Sequence, residues 1–144
     1  MSVVVNIADA VVATLNGGSF SEAFTAERSY LPRYELKEMQ ALHVTVVPKG
    51  MTTEPMSRGT VTHDVRIDVA IQKRLGDPSN SQAESDALME LAEQIATYLR
   101  GAQLVGHPGA RWTQTEHPAI YAPEHLEQMR QFTAVLTLTY RIAS

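Results

Sequence analysis

Histidines and carboxylates are the residues here that could hold a metal, because the chain has no cysteine. His117 and His125 flank Tyr121 and Glu124, and His63 is followed directly by Asp64. Imidazole and carboxylate side by side could ligate a cation or share a proton. The spacing argues against it: no pair of histidines falls at i and i+4 on a predicted helix. His117 precedes a proline and His125 sits on a predicted helical turn, so both read as solvent-facing loop residues. His63 falls on the apolar side of a predicted strand and reads as a partly buried, hydrogen-bonded ring. No metal or cofactor is expected.

Nucleophilic chemistry has as little support. The sequence contains neither G-x-S-x-G nor S-x-x-K, and Ser19, Ser21, Ser57, Ser79 and Ser81 lie where turns and helix caps use hydroxyls. Gly17-Gly18 follows a predicted helix instead of opening one, so it cannot cradle a phosphate at a helix N-terminus. Glu90 and Glu93 could act as a carboxylate pair, but on a predicted helix they form an ordinary solvated face. Trp112, the only tryptophan, fits an interface anchor or the core of a short strand equally well. These residues compose no active site, and an enzyme is not expected.

The elements that would position these side chains are clearer. Val4, Ile7, Ala8, Val11, Val12 and Leu15 recur at helical spacing, with Ser2 or Asn6 as cap and Asn16-Gly17-Gly18 as stop. Extended pieces follow at Thr25 to Tyr30 and Leu42 to Val47, the second ended by Pro48. Lys49 to Gly59, punctuated by Gly50, Pro55 and Gly59, reads as a loop, and the segment Pro48 to Thr60 is expected to be mobile in the isolated subunit. Val61, His63, Val65, Ile67, Val69 and Ile71 alternate with polar residues, the signature of a strand buried on one face. A strand from Val61 to Leu75 would run roughly 50 Å and must bend, bulge or project. Ser81 and Glu84 form a capping-box pattern before Leu88, Leu91, Ala92, Ile95 and Leu99, and Gly101 ends that helix. A strand is expected at Arg111 to Glu116, a helical turn after Pro123, and a long closing strand from Phe132 to Ile142. The class is α+β, an antiparallel sheet with two main helices packed on one face, in the order helix, strands, helix, strands.

A chain of 144 residues, 44% hydrophobic and 19% charged, suits one globular domain, residues 1–144. Absence of cysteine suits a reducing compartment. The N-terminal apolar stretch carries Asp9 and no basic flank, so neither a signal peptide nor a membrane anchor is expected. Residues 1–76 hold 8 basic and 8 acidic side chains and residues 77–144 hold 4 and 8, which places the net charge of −4 in the second half. No basic face emerges, and sequence-specific nucleic-acid binding is not expected.

The stretches IADAVVATLN, HDVRIDVAIQKRL, LMELAEQIATYLRG and YAPEHLEQMRQFTAVLTLTY, in this order, cover most of the chain. In organisation the sequence resembles the tail terminator, or tail completion, proteins of phages and prophages. That resemblance implies an α+β subunit of a homo-oligomeric ring, commonly a hexamer, that caps the tail tube and meets the head. Its partners would be further copies of itself, the tail-tube protein and a head-completion or connector protein. It would be made in the host bacterial cytoplasm and reside in the virion. Another head–tail joining or minor tail subunit, or a small-molecule or peptide-binding module, are the alternatives. Lys49, Arg58, Lys73, Arg74 and Trp112 are the candidate interaction residues, Lys49 and Arg58 as contacts for an acidic neighbour.

Overall fold

The computed structural model describes residues 2–30, 42–75, 81–119 and 131–143. Two helices, α1 (Val3–Asn16) and α2 (Ser81–Gly101), accompany five strands: β1 (Ala26–Arg28), β2 (His43–Ser57), β3 (Thr60–Arg74), β4 (Arg111–Ala119) and β5 (Gln131–Ala143). They form one sheet in the order β1-β2-β3-β5-β4. Three pairings are antiparallel, and the short β1 runs parallel to β2, so the sheet is mixed at one edge.

The helices share one face of this sheet because every long element is apolar on one side only. Val65, Ile67, Val69 and Ile71 of β3 and Leu136, Leu138 and Tyr140 of β5 meet Ile7, Val11 and Leu15 of α1 and Leu91, Ile95 and Leu99 of α2 in one buried cluster. A second cluster, Leu75, Leu88, Phe132 and Ala134, closes one end. Ser2, not Asn6, caps α1, its Oγ accepting the Val5 N–H at 3.3 Å. After the helix stop, the Asn16 carboxamide bonds both backbone groups of Ala26, donating to its carbonyl (3.2 Å) and accepting its N–H (2.8 Å). The residue that punctuates α1 thereby fixes β1 at the sheet edge.

The opposite face is polar and cross-linked between strands. Thr137 Oγ1 donates to Asp68 (2.6 Å), Lys49 Nζ stands 3.8 Å from the same carboxylate, Arg66 donates to Thr52 (2.9 Å), and Arg141 Nε pairs with Asp64 (2.9 Å).

The expected loop from Lys49 to Gly59 is not a loop. β2 runs through Pro48 as far as Ser57 and turns back into β3 over Arg58 and Gly59, with Gly59 at φ +81°. Each breaker has a structural use. The Val46 carbonyl accepts from Ser29 N–H at 3.0 Å, so its backbone faces the β1 side, and the Pro48 nitrogen two residues on faces the same way. No ladder bond is lost there. An extra residue between Pro48 and Gly50 forms a bulge, and a Cβ on Gly50 would stand 3.1 Å from the Arg66 guanidinium. β3 has continuous register and keeps its phase. Pro55, opposite Val61, therefore again turns its nitrogen outward.

β3 projects, as its length requires. Its buried apolar series stops at Val65, and the five residues back to Thr60 carry it roughly 17 Å further. The tip of this β2–β3 arm lies past the end of β5, whose Ala143 pairs with Thr62. Every residue from Met51 to Gly59 is exposed.

Candidate functional site

The five candidate interaction residues do not converge. Arg58 forms the turn at the tip of the arm, while Lys73 and Arg74 lie at the far end of β3, roughly 45 Å away along the strand. Lys49 sits in the bulge and is engaged with Asp68. Trp112 pairs with Tyr140, packs half-buried against the main core, and donates its indole N–H to Thr115 Oγ1 at 2.7 Å. Its position is that of a strand anchor whose polar edge is already satisfied.

His63 is the hydrogen-bonded histidine anticipated from its strand, its Nδ1 2.9 Å from Thr53 Oγ1. A hydroxyl beside an imidazole has the composition of a nucleophile and base, but the surroundings are wrong for that chemistry. Thr53 is exposed on the arm, and the neighbouring Asp64 points to the other face. There its partner is Arg141, whose hydrogen bond and charge hold the Asp64 carboxyl below the usual aspartate range. His117 is solvent-exposed as expected, but on β4 instead of a loop. Tyr121, Glu124 and His125 lie outside the described residues. Among the described residues no group of three histidines or carboxylates could hold a metal ion, and no helix is long and apolar enough to cross a membrane.

A groove on α2 went unrecognised in the sequence. Ser19, Phe20, Glu90, Glu93, Gln94, Thr97 and Tyr98 line an open cavity of about 400 Å³. Phe20 stacks edge-on to Tyr98 with ring centroids 5.3 Å apart, and Phe24 follows at 5.2 Å from Phe20. Gly18 permits this arrangement, since a Cβ there would come within 3.0 Å of both the Phe20 and Tyr98 rings. Gln94 Oε1 accepts the Ser21 N–H at 3.0 Å and ties the segment to the helix. The Tyr98 hydroxyl donates to the Thr14 carbonyl at 3.1 Å and ties α2 to α1. The floor is thus aromatic and braced, with Glu90 and Glu93 at its rim. What this arrangement can do is receive an apolar side chain with a cation beside it. The available signal was Phe20 and Phe24 two and six residues after a glycine pair, together with Tyr98 flanking the apolar stripe of α2.

No family model and no curated protein matches the sequence. Among solved structures, a chain from the "virion of native gene transfer agent (GTA) particle" superposes with a TM-score of 0.61 at 14% identity, covering 100% of both chains. A chain from an extracellular contractile injection system, described as a PVC sheath/tube terminator in the extended state, aligns with a TM-score of 0.41 at 18% identity over 100% of this chain and 57% of that one. The chain therefore shares its fold, over its full described length, with a chain of the gene transfer agent virion.

Proposed function

We propose that the chain is a structural subunit of a phage or prophage tail, forming a ring that ends the tail tube and joins it to the head. The supporting observation is the likeness to a gene transfer agent virion chain, which covers 100% of both chains. It agrees with the resemblance of the sequence to tail terminators. The arm suits the same role: its alternating pattern continues through Val61 and His63 beyond the buried part of the sheet, as a surface shared between subunits would. In this reading the protein acts by shape and self-association and catalyses no reaction. Its partners are further copies of itself, with six the count the resemblance implies, the tail-tube protein and a head-completion or connector protein. The test is deletion of the gene from the phage or prophage that carries it, followed by electron microscopy of the particles. The expected result is filled heads separate from tails of irregular length, restored to joined particles by the gene in trans. Joined particles of normal length from the deletion strain would overturn the proposal.

A further inference from the structure

The arm and the α2 groove carry complementary chemistry. Arg58, at the turn of the arm, makes no hydrogen bond or ion pair among the described residues, and Met56 beside it is 59% exposed. An exposed large apolar side chain and an unpaired cation at the end of a two-stranded projection are both available to a partner surface. The groove offers an edge-on aromatic pair at its floor, suited to a thioether, and two carboxylates one helical turn apart at its rim. Neither Glu90 nor Glu93 makes an ion pair among the described residues. Glu90 and Glu93 are both exposed on α2, so the rim of the groove attracts a cation from outside.

We infer that the β2–β3 arm of one subunit docks on the α2 groove of the next, with the Arg58 guanidinium between Glu90 and Glu93 and the Met56 side chain against Phe20 and Tyr98. This rests on the ring reading above and specifies the contact that builds the ring. The tip of the arm rises past the end of β5, whereas α2 packs over β4 and β5, so tip and groove belong to different regions of the subunit. Joining two different surfaces gives a head-to-tail contact, and such contacts close into rings when the rotation between subunits permits. Arginine suits the rim because its planar fork can engage two carboxylates at once.

The test is a charge exchange read by sedimentation and light scattering, with melting temperatures confirming that each variant folds. Arg58→Glu and the pair Glu90→Arg, Glu93→Arg are each expected to weaken self-association by roughly thirtyfold, the usual scale for breaking a charge pair at an interface. Combining the three substitutions should restore most of it. Because the natural chain has no cysteine, a second readout is clean: Arg58→Cys mixed with Glu93→Cys should form a disulfide between chains under mild oxidation. Rings of Arg58→Glu as stable as wild type, no recovery in the combined variant, or no cross-link would overturn the docking and leave the ring reading standing. Wild-type protein that stays a single subunit at every concentration, alone and with tail tubes, would overturn both.

Discussion

Asn16 holds Ala26 by both of its backbone groups, the carboxamide standing in for a neighbouring strand where α1 hands over to β1. Replacing it by alanine leaves the Ala26 N–H and carbonyl without that partner. Asn16→Ala should cost about 1–3 kcal/mol, the usual penalty for orphaning part-buried polar groups. Chemical denaturation with an unchanged m-value checks this. A loss below about 0.5 kcal/mol would mean that water replaces the clamp at no cost.

Leu91 and Ile95 are fully buried between α2 and the sheet. Leu91→Ala or Ile95→Ala should cost about 2–5 kcal/mol, the range for large-to-small changes in a packed core. Urea melts of the two variants measure it. A change as small as that of a surface site would show that α2 does not lie on the sheet as described.

Pro48 and Pro55 withhold two donors from the outer edge of β2, which β1 covers only at Val44 to Val46. Exposed strand edges with a full row of N–H groups invite pairing with other chains. The double substitution Pro48→Thr, Pro55→Thr should therefore raise concentration-dependent aggregation while the melting temperature changes little. Light scattering over time at fixed temperature compares it with wild type, and equal scattering would rule out a guarding role for the prolines.

Two ionisable groups act on opposite limbs of the stability profile. Asp64 is held below the ordinary aspartate range near 3.9 by Arg141. Its contribution is complete above that range and is lost as pH falls through the lowered value, so Asp64→Asn should flatten the acid limb, more visibly at low salt. Tyr140 is buried, its hydroxyl has no hydrogen-bond partner among the described residues, and burial pushes its ionisation upward. As pH rises past about 10 the unfolded chain releases this proton and the folded one retains it, so stability falls there. Tyr140→Phe should flatten the alkaline limb and cost no more than about 0.5 kcal/mol at neutral pH, since it removes an unpaired polar atom. Thermal melts from pH 3 to 11 test both.

Periodicity made the long elements legible. Alternation from Val61 onward and from Phe132 onward located β3 and β5, and the apolar stripes of α1 and α2 showed which side of each helix is buried. The arm was not legible, because Gly50 and Pro55 are loop residues by type and strand residues by place, and Gly59 serves only a two-residue turn. A bulge, an outward-facing edge and a two-residue turn use the same amino acids as an irregular segment, and only register distinguishes them. The parallel pairing of β1 was also hidden, since three residues carry too little pattern to show direction. Of the candidate residues, Arg58 was singled out by charge and lies at the tip of the arm, a place set by the hairpin and not by a mobile loop. The groove was missed because Phe20 and Tyr98 are 78 residues apart in sequence and only the packing of the segment after α1 against α2 brings them together.

The bulge between Pro48 and Gly50 has a consequence in simple parity. Side chains and backbone groups alternate along a strand with period two, so residues separated by an odd number face opposite ways. Pro48 and Pro55 are seven apart, and in an unbroken β2 one of them would have turned its ring nitrogen toward β3 and cost the hairpin a bond. The extra residue at Lys49 makes the odd interval behave as an even one. Deleting Lys49 would bring the interval to six and remove the bulge, so that β2 pairs with β3 without interruption while both prolines still turn their nitrogens outward. An odd proline interval inside an alternating apolar segment is a way to read a hidden bulge from sequence.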